Sequence, residues 1–506
     1  MKGTILRLIL LLVASTTVVN IVYTQFPYTI EGEDCEGAGK TFTDVYGKKI
    51  GGNFSGKGFA YLQVQTLSFN VTVPKDEMYQ FNAKIAQILS KEGRVQTMSI
   101  NGIDFQYTFP YYDTWTNFDL GIHRLKKGVN IIQFKPIYGY SLIDTITITK
   151  ATFPDFANVP ITLTDYKSTR VTQELHNFLG SVYGKKIISG QQEIYNGGNN
   201  GDYEKEFDYI HDLTGKYPAI RGYDFMYSNP LYDMKDGTTE RIIEWVTKRG
   251  GIATASWTLS IPKDFENYKI GDKINMINTT YDTSSTFKTE NTVVKGTKEN
   301  DFWNIAIKAL AEQLLKLQEA NVPLIFRPLH EAEGNSNIDG TGAWHWWGKA
   351  GAKIYINIWK YLYDKLTKEY DIHNLIWAQT LYAWSPNSAQ WYAGDDYVDL
   401  IGYDKYNTVY YRHDGKKSGP NLDAESSIFY NLLKFVNNKK MIAISENDSI
   451  PSLNNLIVEH AAWLYFCPWY GEFILEEKNN AKSDLKEIYK SDYCITLEDL
   501  PFKKKE

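Results

Sequence analysis

Two glutamates stand where acid–base chemistry can be done, each at the end of an apolar run. The stretch Val322–Phe326 has the length and β-branched content of a buried strand, and it gives way to Arg327, Pro328, His330 and Glu331. A loop rich in Gly and Asn follows, then Trp344, His345, Trp346 and Trp347. A second run, Met441–Ser445, ends in Glu446. A carboxyl at a strand end can supply a proton, and indole faces stack on the apolar faces of sugar rings. Two such carboxyls across a sugar-sized gap are the equipment of glycoside hydrolysis, one as acid and one as nucleophile. The simpler alternative is that Glu331 salt-bridges Arg327 beside core aromatics.

Other chemistries find little support. The eight histidines are scattered, with no HxxxH or HxH pair to hold a catalytic metal. No G-x-S-x-G elbow is present for a serine hydrolase. The net charge of −6, with no basic stripe, argues against nucleic acid as a partner. Aromatics make up 15 % of the chain, including 37 Tyr and 13 Trp, which suits a polysaccharide partner. A non-catalytic sugar receptor is the rival from another class, but a receptor has no need for a pair of acids.

The elements that must position these residues are legible as strand-like runs separated by helical periods. The runs are Lys186–Gly190, Tyr217–Phe225, Gly251–Trp257, Pro323–Glu331, Asn374–Thr380, Tyr397–Asp404, Met441–Glu446 and Trp463–Gly471. Between them, Trp303, Ile307, Leu310, Leu314 and Leu317 recur at helical spacing. Eight strand–helix units across residues 160–503 predict an α/β fold of the (β/α)8 TIM-barrel type. A doubly wound sheet is the alternative, though no Gly-rich phosphate loop accompanies it. Barrel chemistry belongs at the carboxy-terminal strand ends, which carry Gln191, Asp224, Trp257, Glu331, Trp384, Asp404, Glu446 and Trp469. Strands 4 and 7, which bear the glutamates, then face each other across the mouth.

Residues 26–150 read differently. Short alternating runs such as Leu67–Val73 and Val129–Phe134, separated by Gly, Asn and Lys turns, predict an all-β sandwich of jelly-roll type. Lys2, Arg7 and the apolar run Leu8–Val13 make residues 1–25 a secretory signal peptide, so the product is expected to be secreted, extracellular and free of the membrane. Cys35, Cys467 and Cys494 allow at most one disulfide, and sequons stand at Asn53, Asn70, Asn278 and Asn447.

The segments ISGQQE (Ile188–Glu193), PAIRGYDFM (Pro218–Met226), FRPLHEAEG (Phe326–Gly334), WHWWG (Trp344–Gly348), GDDYVDLIGYDKYN (Gly394–Asn407), ISEN (Ile444–Asn447) and PWYGEF (Pro468–Phe473) resemble glycoside hydrolase family 26, chiefly its endo-β-1,4-mannanases. The resemblance implies a retaining mechanism with Glu331 as acid/base and Glu446 as nucleophile, so Glu331 is expected to titrate above Glu446. It further implies sugar contacts by His330, Trp257, Trp344 and Trp469, and an Asp404–Tyr406 element beside the catalytic pair. Alternation places Asp404 and Tyr406 on one face, so Tyr406 can reach the nucleophile. The substrate implied is β-mannan, glucomannan or galactomannan, cut by a monomer with no catalytic cofactor.

Three departures stand out. Thr258 follows Trp257 where mannanases of the family commonly carry His, Asn335–Gly342 is an insertion, and His345 replaces a usual Phe. They leave β-1,3-xylan and mixed-linkage β-glucan open as substrates. The opening YTIEGEDCEG (Tyr28–Gly37), HRLKKGVNIIQF (His123–Phe134) and SLIDTITI (Ser141–Ile148) resemble a family-35 carbohydrate-binding module. By that resemblance Glu31, Glu33 and Asp144 hold a structural calcium ion. Carboxylates at alternate positions of one strand suit such an ion.

Overall fold

A computed structural model describes residues 22–502, apart from 64, 137–139, 157–158, 161, 196–197, 235, 336, 407–411, 413 and 415. Most of the expected signal segment thus lies outside the described residues. The chain divides after Thr152 into two units.

In the first unit, the alternation of Leu67–Val73 and its neighbours builds two antiparallel sheets. One orders Tyr28–Glu31, Ser141–Lys150, Glu77–Gln87 and Tyr112–Leu125, with Ala60–Leu62 added on Ser141–Lys150. The other orders Leu67–Val73, Gly128–Pro136, Arg94–Ile100 and Ile103–Phe109. Phe69, Val71, Phe81, Ile132 and Ile146 are among the side chains that form the core of this unit.

The second unit is a parallel barrel. Its sheet runs in chain order through Gly190–Gln192, Ile220–Asp224, Ile252–Trp257, Leu324–Pro328, Leu375–Thr380, Leu400–Lys405 and Met441–Asn447. These strands are buried along their whole length, as strands covered on both faces must be. The eighth position is taken by residues 463–469 without a regular ladder. Leu464 N donates to Ile442 O, Ile444 N to Tyr465 O, and Ile188 N to Leu464 O, which closes the ring between the first and seventh strands. The helix around Trp303 is longer than its apolar period, Lys298–Glu319, and opens on Thr297, whose side chain accepts from Asn300 N. It buries Trp303, Ile307, Leu310, Leu314 and Leu317. All three cysteines are buried free thiols. Among the described residues no helix is long and apolar enough to cross a membrane.

Candidate active site

Glu331 follows the fourth barrel strand in a turn where Leu329 and Glu331 both have left-handed backbones, φ 52° and 55°. Non-glycine residues hold that conformation only where their surroundings over-determine it, at a cost of about 1–3 kcal/mol each. Glu446 sits on the seventh strand, opposite Asp404 of the sixth. The register between these strands slips at Tyr403/Asp404, so Ser445 is the extra residue of a bulge. Its hydroxyl donates to Asp404 Oδ1 at 2.6 Å.

Arg327, at the end of the fourth strand, ties the site together. Its Nη1 donates to Asp404 Oδ2 at 2.9 Å and to Thr380 Oγ1 at 3.2 Å, and its Nη2 donates to Glu446 Oε1. Tyr406 donates to the other oxygen, Glu446 Oε2, at 2.9 Å. Both carboxylate oxygens are therefore held, which fixes the plane of the Glu446 carboxyl. Glu331 is clamped in the same way, by Tyr382 Oη on Oε1 at 2.5 Å and by His345 Nε2 against Oε2 at 3.4 Å. Tyr382 is itself anchored through its backbone N–H to Glu333.

The expected order of titration is reversed in this structure. Burial pushes the Glu446 carboxyl up, the like charges of Asp404 and Glu331 add to it, and Arg327 pulls against them. Burial also pushes Glu331 up, but the bonds from His345 and Tyr382, with the charge of Arg327, hold it below the usual glutamate range. His330 is kept well below the ordinary histidine value by burial, with Arg327 and His345 adding to the effect, so its ring is neutral.

Both glutamates open on one cleft of about 930 Å³, lined also by Trp344, Trp384, Tyr406, Trp469 and Thr258. Trp344 is 38 % exposed and Trp384 40 %, and Trp384 stacks on Tyr382 at 4.0 Å with the rings 7° apart. Trp469 stacks on Tyr470 at 5.0 Å and meets Tyr195 edge-on at 5.6 Å. His330 and Asp404 also line the cleft. Trp257 does not. It is fully buried and packs on Trp303 at 5.3 Å, because the alternation of its strand turns it into the barrel wall. The next residue, Thr258, faces the cleft in its place, with its hydroxyl donating to Asp224 Oδ2 at 2.5 Å. Trp346 and Trp347 are buried and donate their indole N–H groups to Leu259 O and His330 O. Arg327, Tyr382 and Trp384 carry contacts that spacing along the chain did not assign. Only their position at strand ends marked them.

The acids of the first unit are not arranged as strand alternation predicts. Glu33 lies in a one-turn helix, Gly32–Asp34, and not on the strand that ends at Glu31, so alternation does not align the two. Among the described residues, the group of three acidic, histidine or cysteine side chains with mutually close ligand atoms is His330, Glu331 and His345, not this one. Asp144 Oδ2 instead takes the Lys84 ammonium at 2.7 Å.

Two carboxyls at the mouth of a parallel barrel, set among exposed tryptophans, define a glycoside hydrolase. The chain belongs to glycosyl hydrolase family 26, whose family model matches residues 164–499. A mannan endo-1,4-β-mannosidase of Thermothelomyces thermophilus is 30 % identical over 86 % of this chain and 83 % of its own. A ruminal GH26 endo-β-1,4-mannanase of known structure is 72 % identical, with a TM-score of 0.93 over 96 % of this chain and all of that one. The Podospora anserina GH26-CBM35 β-(1,4)-mannanase is 27 % identical, with a TM-score of 0.64 over 94 % of this chain and 98 % of its own. A carbohydrate-binding module of the family-35 kind followed by a family-26 barrel is thus the architecture of this chain.

Proposed function

We propose that the chain is a secreted endo-β-1,4-mannanase that hydrolyses mannan-type polysaccharides by double displacement with retention. The observation that carries the proposal is the pair of clamped glutamates opening on one tryptophan-lined cleft. Its mannan specificity rests on relatives named as mannan endo-1,4-β-mannosidases.

Glu446 attacks the anomeric carbon while Glu331 protonates the departing oxygen. Glu331 then takes a proton from water as that water hydrolyses the glycosyl–enzyme, and configuration is retained. Arg327 and Tyr406 orient the attacking carboxylate, and Asp404 holds Arg327 in place. A proton shared among these buried acids must reside on Glu331 when bond cleavage begins. A sugar in the cleft excludes water from Glu331 and presents an ether oxygen as hydrogen-bond acceptor. Both effects favour the protonated carboxyl, and so restore the order that the mechanism needs. His330 contacts the sugar at the cleaved linkage as a neutral ring, while Trp344 and Trp469 stack on flanking units. The amino-terminal module keeps a monomeric enzyme near its polymer and raises its effective concentration there.

The test is product analysis on linear mannan, glucomannan, β-1,3-xylan and mixed-linkage β-glucan, with Glu446→Ala as the partner variant. Manno-oligosaccharides from the native chain and none from the variant, which still binds polysaccharide, are expected. Products from xylan or glucan alone would overturn the specificity, and substantial turnover by the variant would overturn the assignment of the nucleophile.

A further inference from the structure

The family-35 resemblance implies calcium, yet the acids that would bind it are met by donors from the protein. The segment Asn53–Gly58 lies over Glu31, Glu33 and Asp144. Ser55 Oγ donates to Glu31 Oε2 at 2.7 Å and approaches Asp144 Oδ1 at 3.1 Å, and Ser55 N donates to Asp144 Oδ1 at 2.9 Å. Lys57 N and Gly58 N donate to Glu33 Oε1 at 2.8 and 3.1 Å. The fit is close enough to require glycine at position 56. A Cβ there would stand 2.5 Å from Glu33 Oε1 and 3.1 Å from Glu31 Oε2, and φ is +59°.

The charge comes from Lys84, on the strand beside Asp144. Lys84 is paired in register with Thr145, and its ammonium reaches Asp144 Oδ2 at 2.7 Å and Asn53 O at 2.8 Å. The Asp144 side chain is fully buried, whereas that of Lys84 keeps 29 % of its exposure. A buried carboxylate must be compensated. Here an ammonium on a strand neighbour compensates it, and the same ammonium takes up a backbone carbonyl of the covering loop. Calcium needs six to eight oxygens at 2.3–2.6 Å. Loop N–H groups and the Ser55 hydroxyl already engage Glu31 Oε2, Glu33 Oε1 and Asp144 Oδ1, and the Lys84 ammonium stands against Asp144 Oδ2. Glu33 Oε2 and Asp144 Oδ2 are the buried carboxylate oxygens of the three acids without a hydrogen bond, the second met by the Lys84 ammonium as an ion pair, and together they fall short of a calcium shell.

We propose that Lys84 replaces calcium in this module, its ammonium locking Asn53–Gly58 to the first and last strands so that the unit is stable without the metal. The inference does not depend on what the barrel hydrolyses.

The experiment uses the full chain. Calcium binding is measured by equilibrium dialysis after EDTA treatment, and thermal unfolding is followed in EDTA and in excess calcium. For the native chain, no calcium retained at micromolar concentration and no shift in the module's melting temperature are expected. Lys84→Met leaves Asp144 buried without its partner, so the module's transition should fall by several degrees in EDTA. Calcium should recover part of that loss in this variant alone. Lys84→Arg keeps the charge and should behave as the native chain, so the proposal stays testable if Lys84→Met does not fold. One calcium bound by the native chain, or a transition lowered by EDTA, would overturn the proposal.

Discussion

Tyr406→Phe removes a single hydroxyl from the best-held group in the cleft. Tyr406 Oη donates to Glu446 Oε2 at 2.9 Å, while Arg327 serves Oε1. The ring is retained, still edge-on to Phe473 at 5.8 Å, so the barrel should melt as before. A hydrogen bond to an ionised acceptor contributes about 1.5–3 kcal/mol. The hydroxyl orients the attacking carboxylate, so its loss should appear in the step that forms the glycosyl–enzyme. At about 1.4 kcal/mol per tenfold, kcat/KM should fall about 10- to 150-fold. The variant also moves the pH profile. The nucleophile must be ionised, the hydroxyl favours its ionised form, and removing that donor raises the carboxyl's pKa further. Because Glu446 titrates above Glu331 in the free enzyme, the alkaline limb of kcat/KM reports it, and that limb shifts to higher pH. The assay is initial rate against mannan across pH, with thermal unfolding as the structural control. A change of less than twofold with the alkaline limb unmoved would refute the claim that Tyr406 holds the nucleophile.

His345→Phe and Tyr382→Phe each remove a donor that holds Glu331 down, and Glu331 is the lower-titrating acid of the free enzyme, so the acid limb of kcat/KM should move to higher pH while the alkaline limb stays. An unmoved acid limb in both variants would show that neither donor acts on the acid/base. Gly402→Ala places a methyl 2.4 Å from Ser445 Oγ, pushing that hydroxyl off Asp404. Activity should drop more than stability, as read by kcat against melting temperature, and an unchanged kcat would count against Asp404 as the anchor of Arg327. Azide should restore bond cleavage to Glu446→Ala and give a glycosyl azide of inverted configuration, as expected when the nucleophile is lost. Failure to recover any product with an activated substrate would argue for another nucleophile.

Much of this site was visible in one dimension because strand ends are local features. An apolar run that stops at a carboxyl can be read without knowing its neighbours, and Glu331 and Glu446 both announce themselves that way. The alternation that joins Asp404 and Tyr406 correctly put a phenol near the nucleophile. The strand-end rule misled at Trp257, and alternation misled at Glu33. The first sits on the wall-facing phase of its strand, and the second lies just past a strand end, where alternation no longer holds.

The sequence by itself determined the order of elements, the class of each unit and the two acids, since periodicity and strand termini depend on residues a few positions apart. Only the tertiary structure decided which aromatics face the cleft, how the eighth strand closes the ring, and that Arg327 reaches a glutamate 119 residues away. It alone set Lys84 against Asp144 and Tyr382 against Glu331. These pairings join segments distant in the chain, and a one-residue bulge such as that at Ser445 shifts which side chains meet. Charge compensation of a buried group is a property of the space around it, and only the fold assembles that space.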